Sequence, residues 1–385
     1  MIEGMVAVVS GVTGQTGSYL AEILLNKGYF VIGFSRRVSV DTSERIKHLL
    51  GNPNFLFEEG DICDPFYITQ LLSRYPVAEF YNLAAQSHVG TSFKQPVVTS
   101  DINYGGVLNI LNCIESGSPD TKFYQASTSE LFGSNYDVAS VAGSSKISES
   151  VNYTEGQLEV LLKYQDENTA LKPQSPYAIA KLAGHHTVRL YRESYGIFAC
   201  AGILFNHESP RRGEKFVTRK ITKWIGEFVR WRNRIDSQLI DVSSDENFLE
   251  KYHVLKRSPE ELGGDGRVTD TFPKLRLGNL DAYRDWGHAK DYAMAMWMML
   301  QHDKADDYVV STEETHSIRE FLNEAFGHVG IWDWSDYVVI DPEFFRPAEV
   351  DYLCGKSTKA RTVLGWKPEY SFKSLVKEMV EAEIK

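Results

Sequence analysis

Cysteine is scarce in this 385-residue chain: Cys63, Cys113, Cys200 and Cys354 stand far apart, with no CxxC spacing. A disulfide scaffold or a zinc site is therefore not expected, no metal is assigned, and a reducing, cytoplasmic setting is the natural one. Long apolar runs are missing as well. No stretch approaches the ~20 residues that a membrane span needs, and residues 1–10 lack the basic flank and long apolar core of a signal peptide. Positive charge is in deficit, 41 Lys and Arg against 52 Asp and Glu, for a net of -11. Such a surface repels nucleic acid and anionic membranes at long range, so neither is an expected partner. An anionic small molecule stays admissible, because a few arginines in a cleft outweigh a distant field.

What remains is an ordinary globular composition, 43% hydrophobic and 24% charged. Short apolar strands at 5–10, 29–35, 55–61, 79–83, 122–127 and 198–204 alternate with helical patterns at 18–26, 98–115 and 176–195. That alternation predicts an α/β fold, a Rossmann-type parallel sheet flanked by helices, over residues 1–205. Residues 206–385 read as a smaller α/β C-terminal substrate lobe. Its helices are expected at 216–231, 289–300, 318–329 and 371–383 and a strand at 337–340, with 308–310 returning to the main sheet. Two excursions, 134–171 and 236–266, carry net charges of -4 and -5 and read as surface insertions. In the first, Leu158, Leu161 and Leu162 beside Glu155, Glu159 and Lys163 form a helical stripe, which predicts a short docking helix bordering the active-site mouth.

Between the first strand and helix lies Gly11-Val-Thr13-Gly14-Gln15-Thr16-Gly17. Glycines at such a turn let the chain approach a pyrophosphate, and the amides that open the helix attract it. The second strand ends in Arg36-Arg37. A carboxylate there would bind ribose hydroxyls, whereas two guanidiniums suit a 2'-phosphate, so NADP is favoured over NAD. The competing reading is a solvated basic pair neutralised by Asp41 or Glu44. Asp61 can accept from the adenine amino group with Ile62 against the ring, and Leu83-Ala84-Ala85-Gln86-Ser87 can lie along the nicotinamide half.

Tyr177 and Lys181 stand four residues apart on a helix that follows the fifth strand, so phenol and ammonium share one face. The lysine can hold a ribose and lower the phenol's pKa, which makes Tyr177 a candidate base. The fifth strand delivers Thr128, Ser129 and Glu130. Thr128 can bond the hydroxyl that Tyr177 deprotonates. Simple alcohol oxidation needs no second carboxylate, but oxidation at C4 of a hexose makes the C5 proton acidic, and Glu130 could remove it and help expel the C6 hydroxyl. A plain helix-start acid is the bland alternative for Glu130.

The stretches GVTGQTG, YNLAAQSHVGTSF, YQASTSELFG, SPYAIAKL, GILFNHESPRRGEKFVTRKI, LGNLDAYRDWGHAKDY and FFRPAEVD resemble the GDP-mannose 4,6-dehydratase family of extended short-chain dehydrogenases. The resemblance implies a catalytic set of Thr128, Glu130, Tyr177 and Lys181. It implies NADP contacts from Gly11 to Thr16, at Arg36, Arg37, Asp61 and Ile62, from Leu83 to Ser87, and at His207 and Arg212. For a GDP-sugar it implies Ser87, Ser129, Glu130, Asn206, Lys220, Arg284, Arg346 and Glu349. The implied reaction converts GDP-mannose to a 4-keto-6-deoxy product and water, with NADP tightly bound and regenerated each cycle. A homodimer or homotetramer is implied too, its helices 98–115 and 176–195 pairing across a two-fold axis. The sequence departs from the family at Val98, where many relatives have tyrosine, and at Thr16, where aspartate is usual. Two readings compete: the same chemistry on GDP-mannoheptose, and a non-catalytic NADP-binding homologue. The second would be expected to lose Glu130, Tyr177 or Lys181, and all three are present.

Overall fold

A computed structural model describes residues 4–39, 42–141, 151–154, 157–240, 272–345 and 350–385. The segment Val6–Ser10 (β1) is buried along its whole length, as a strand covered on both faces must be. Its side chains alternate between two cores: Val6 and Val8 join one, Ala7 and Val9 the other. Parallel partners stand on either side of β1, Phe30–Ser35 (β2) and, further along the chain, Val77–Asn82. Phe55–Glu59 (β3) completes that flank by pairing with β2. With Val77–Asn82 as β4 and Lys122–Ala126 as β5, the other flank continues through Ala199–Leu204 to Asp307–Val310. The result is a seven-stranded sheet whose described ladders are all parallel, and strand order reverses at β1. In open α/β sheets the crevice beyond that reversal takes the ligand.

The helix Gln15–Asn26 (α1) and the later helix Ala289–Gln301 pack together over one face. Pro65–Arg74 (α2), Gly106–Gly117 and Pro176–Tyr195 cover the other. The helix expected over 98–115 is built in three pieces: Pro96–Ser100, a π-turn at Asp101–Gly105, and Gly106–Gly117. Such turns recur at functional sites.

Contacts divide the chain into two compact units. The first comprises Met1–Arg211, Ala282–His316 and Arg346–Phe372. It includes a small parallel pair, Asn206–Glu208 against Tyr283–His288. The second comprises Arg212–Asp281, Ser317–Phe345 and Lys373–Lys385. Its parallel pair is Leu275–Leu277 with Val338–Ile340. Trp224 stacks on Phe228 at 5.2 Å, and Phe326 and Tyr337 pack around them. The helix Ile318–Gly327 opens with a reciprocal Ser317–Glu320 capping box.

The docking helix expected near Leu158 to Leu162 is not there. Gln157–Tyr164 is a strand, paired antiparallel with Asp137–Val141 on one side and Val151–Thr154 on the other. An eight-residue helix is marginal without a partner surface, whereas three strands satisfy one another's backbone. The overlooked signal is spacing: only Glu155 and Gly156 separate Val151–Thr154 from Gln157–Tyr164 in the sequence, the length of a tight hairpin link. The neck of this appendage is closed by Lys172 N donating to Leu131 O at 2.8 Å and Asn135 Nδ2 to Ala170 O at 2.7 Å. From its base, Glu167 accepts the Val309 amide at 2.7 Å, engaging the edge strand of the main sheet. The other acidic excursion, 236–266, lies outside the described residues beyond Ile240.

Candidate active site

The glycine turn is sterically dictated. Gly11 has φ of +67°, and a Cβ there would stand 2.9 Å from Ala84 N. A Cβ on Gly17 would stand 2.4 Å from Gly11 O, so only glycine lets α1 start against the end of β1. Gly14 N closes the turn onto Gly11 O at 2.9 Å. No side chain caps the N-terminus of α1 at Gly14, and no acid occupies its first turn. The opening amides and their positive field are thereby left for an anion, which is what a pyrophosphate requires.

Gln15 and Thr16 face the Asn206–Glu208 strand. Gln15 Nε2 donates to His207 O at 2.9 Å and Gln15 Oε1 accepts from Ser209 Oγ at 2.8 Å. His207 Nδ1 stands 2.9 Å from Phe205 O, which can only accept. In the neutral ring Nε2 then accepts the Thr16 hydroxyl, 2.9 Å away. Thr16 is thus tied directly to His207. Arg45, not singled out in the sequence, braces the turn: Nη1 reaches Thr13 O at 3.3 Å and Nε reaches Arg211 O at 2.7 Å.

At the end of β2, Arg36 and Arg37 are exposed. Arg37 has an 84% exposed side chain and stands 4.0 Å from Glu59, not Glu44; Asp41 lies outside the described residues. Asp61 Oδ1 accepts the Cys63 amide at 2.9 Å. Ile62 is 2% exposed and joins the core on that face of the sheet, where a Cβ on Gly106 of the helix Gly106–Gly117 would meet its Cδ1 at 2.5 Å.

Across the strand ends runs a buried polar chain. Ser10 Oγ donates to Asn82 Oδ1 at 2.6 Å and accepts the Leu83 and Ala84 amides, each at 3.1 Å. Asn82 Nδ2 donates to Gln125 Oε1 at 2.8 Å, and Gln125 Nε2 to Ala126 O at 2.8 Å. Asn103, in the π-turn, clamps Gln86 with two bonds of 2.9 Å, one to its amide and one to its carbonyl. Residues 83–86, Ala85 included, are held from both ends, and Ser87 beyond them is exposed. Sequence reasoning missed Ser10, Asn82, Asn103 and Gln125. Their only signal was a polar residue closing an apolar strand, or an asparagine within a helix.

The helix Pro176–Tyr195 (α3) is launched by Ser175, whose hydroxyl accepts the Ala178 amide at 3.1 Å, with Pro176 in the first turn. Tyr177 and Lys181 are both buried. Lys181 Nζ donates to Ala126 O at 3.0 Å, and burial pulls its pKa down to about 8. This helix packs against the Ser129–Leu131 turn and the Asp101–Gly105 segment. Gly184 permits the second approach, since a Cβ there would stand 2.9 Å from Asn103 O. Thr128 Oγ1 accepts the Glu130 amide at 3.3 Å, which caps the short turn holding both. Thr128, Ser129, Glu130, Tyr177 and Lys181 therefore belong to two packed elements of the first unit.

The remaining residues divide. Asn206 pairs with Trp286, and the buried Arg284 donates to Tyr283 O at 2.9 Å, both in the first unit. Arg212 and Lys220 lie in the second unit. Arg212 stacks its guanidinium 3.6 Å from the Phe216 ring centre, and Lys220 Nζ is 3.6 Å from that of Phe344. Burial lowers the Lys220 pKa, with Arg276 adding to it. Arg346 and Glu349 lie outside the described residues. Val98 is exposed. Among the described residues there is no cluster of three His, Cys, Asp or Glu that could hold a metal, and no helix long and apolar enough to cross a membrane.

Solved structures with this fold include a dTDP-glucose 4,6-dehydratase from Streptomyces venezuelae, with a TM-score of 0.72 at 20% identity over 98% of this chain and 96% of that one. A Thermus thermophilus UDP-glucose 4-epimerase gives 0.70 at 21% identity, covering 98% and 99%. Residues 7–243 match the model of the NAD dependent epimerase/dehydratase family, and residues 268–379 that of GDP-mannose 4,6 dehydratase. The chain is 42% identical to GDP-mannose 4,6 dehydratase 2 of Arabidopsis thaliana, over 98% of this chain and 87% of the relative. It is 38% identical to the Homo sapiens GDP-mannose 4,6 dehydratase, over 98% and 91%. With near-complete coverage at this identity, the chain belongs to the GDP-mannose 4,6-dehydratase family.

Proposed function

We propose that the protein converts GDP-mannose to GDP-4-keto-6-deoxymannose and water, using NADP. The observation that carries this reading is the buried Lys181 ammonium on the Ala126 carbonyl. It lies one helical turn from Tyr177, on a helix packed against the turn that bears Glu130. Oxidation of an alcohol calls for the first two groups; elimination of water calls for the third.

The uncapped α1 N-terminus, with Gly11, Thr13, Gly14, Gln15, Thr16 and Gly17, fits a pyrophosphate. Arg36 and Arg37 would hold a 2'-phosphate, Asp61 and Ile62 the adenine, and residues 83–87 the nicotinamide half. His207 and Arg212 complete the set. Bound there, NADP supplies a two-electron acceptor that is restored within each turnover.

Thr128 orients the C4 hydroxyl, and Tyr177 takes its proton as C4 is oxidised. The Lys181 charge favours the ionised phenol at that moment. The new C4 ketone acidifies C5–H. Glu130 removes that proton and, now a carboxylic acid, gives it to the departing C6 hydroxyl, which leaves as water. C6 is then reduced with the hydride equivalent withdrawn from C4, and C5 regains a proton in place of the one Tyr177 took from the C4 hydroxyl. This leaves a methyl group and returns every protein group to its starting state. Ser87, Ser129, Asn206, Lys220, Arg284, Arg346 and Glu349 would hold the GDP-sugar, the guanidiniums meeting the diphosphate in bidentate fashion.

A panel of GDP-mannose, GDP-mannoheptose and other nucleotide sugars, assayed for hydroxyl loss, tests the reading. GDP-mannose should react fastest, and a panel without any turnover overturns it. NADP should bind more tightly than NAD at fixed salt, and equal affinities overturn that part. The same reading includes a homo-oligomer. Val97 and Val98 on the helix Pro96–Ser100 and Ile179 and Leu190 on α3 are exposed, and the two helices pack side by side. Light scattering should return at least a dimer.

A further inference from the structure

Arg284 sits on a strand gripped on both sides. Its own Nη1 donates to the Tyr283 carbonyl at 2.9 Å. That same carbonyl accepts the Leu353 amide at 3.1 Å, while Tyr283 N donates to Asp351 O at 2.8 Å. The guanidinium and the 351–353 stretch thus share one acceptor, so moving that stretch moves the group that orients Arg284.

The stretch is itself held by Gln165, a residue with 0% exposure at the base of the inserted appendage. Gln165 N donates to Cys354 O and Gln165 O accepts from Lys356 N, both at 2.9 Å. Its side-chain Oε1 accepts the Cys354 amide at 2.9 Å, and Nε2 donates to Asn135 O at 3.0 Å in the neck. One glutamine therefore joins the neck that follows Glu130 to the segment that pairs with Tyr283. From the other side, fully buried Asp285 accepts Thr312 N at 2.9 Å, Thr312 Oγ1 at 2.7 Å, Glu313 N at 3.0 Å and Gly355 N at 3.2 Å. Gly355 is there because a Cβ would stand 2.3 Å from Ser311 Cβ. Glu313, with φ of +69°, is kept in the left-handed region by Asp285 and by its own bonds from Ser357.

We infer that Gln165 and Asp285 are positioning residues for Arg284, through which the base of the inserted segment, Asn135 and Gln165, governs binding of the nucleotide-sugar diphosphate. The inference rests on the reading above that Arg284 meets that diphosphate. Two buried polar side chains, with both ends of each hydrogen-bonded, hold the backbone on which Arg284 depends; neither need touch the ligand. Such support is what keeps a bidentate arginine within the narrow geometry its hydrogen bonds demand.

A double-mutant cycle in the full chain tests it. Gln165→Ala should raise KM for GDP-mannose about tenfold and leave kcat within about threefold and the NADP Kd unchanged. Hydrogen exchange at the Leu353 and Cys354 amides should quicken. Arg284→Lys should raise KM by itself, and adding Gln165→Ala to it should change little more, because the support has lost its client. Should the alanine variant fail to fold, Asp285→Asn enters the cycle in its place. It leaves the Thr312 bonds but sets an amide against the Glu313 and Gly355 N–H groups, and the same KM rise and the same lack of additivity are expected. Equal losses in KM, kcat and NADP affinity, or additive effects of the two substitutions, overturn the inference. A wild-type chain inert on GDP-mannose overturns the functional reading instead, and the two failures are told apart by the wild-type assay alone.

Discussion

At the ends of β1, β4 and β5 the buried Ser10, Asn82 and Gln125 are hydrogen-bonded, as is the buried Lys181 onto Ala126 O, whereas at the end of β2 Arg36 and Arg37 stand exposed. The contrast fits what the proposed function asks of each region. Proton transfer and elimination need groups held to within tenths of an ångström, so their positions are set before substrate arrives. A 2'-phosphate can be captured by long flexible cations in water, which lose their freedom only on binding. The first region should therefore answer to substitution through rate, and the second through affinity and salt.

The largest expected effect lies at the half-buried Glu130, in the turn that follows β5. Glu130→Gln should lower turnover by about a thousandfold, within the range for a lost general base, while single-turnover absorbance still reports oxidation at C4. Full turnover by this variant would remove Glu130 from the mechanism and blur the comparison.

Lys181 sharpens it, because function and stability should part. Burial brings its pKa from 10.5 to about 8. Below pH 8 the folded protein carries a desolvated ammonium that the unfolded chain would hydrate, and this penalty fades as pH rises from about 8 to 10.5. Lys181→Met should thus raise stability at pH 7, by up to about 3 kcal/mol on the shift alone, while cutting kcat by about a hundredfold. Ala126 O keeps Gln125 as a donor, so no carbonyl is orphaned. In the wild type, kcat/KM should fall above about pH 8 as the ammonium is lost. Denaturant melts and a pH profile check both; a destabilised variant would mean that the Ala126 bond outweighs desolvation.

For the exposed pair, replacing Arg36 and Arg37 with serine should weaken NADP about tenfold or more, with a steep salt dependence, and leave NAD within about threefold. Calorimetry at two ionic strengths reads this directly. The smallest effect belongs to Arg37→Ala without cofactor. Its 4.0 Å contact with Glu59 is solvated, and Tm should stay within about 1 °C.

Much of this was legible beforehand. Apolar strands at regular spacing and three glycines at β1 mark a Rossmann sheet, since both depend on short-range sterics. Tyr177 and Lys181 were legible because four residues of helix place them on one face. What escaped were groups whose role is created by distant partners. Asn103 is an unremarkable helical asparagine until Gln86 arrives beside it, and Gln165 is one polar residue in an acidic loop until residues 354 and 356 close on it. Ile62 reads in the sequence as a ring contact alone, and its packing against Gly106, 44 positions on, carries no local signal.

By itself the sequence determined the elements with a strong local period, the glycine turn with its arginine pair, and the residue types available for acid–base chemistry. All of these follow from backbone sterics and side-chain chemistry within a few positions. Only the tertiary structure decided that Gln165 meets residues 354 and 356, that burial lowers the Lys181 pKa, and that Thr16 meets His207. Those outcomes depend on which strands and carbonyls are brought near from tens of residues away, and no local pattern encodes the desolvation or the hydrogen bonds that result.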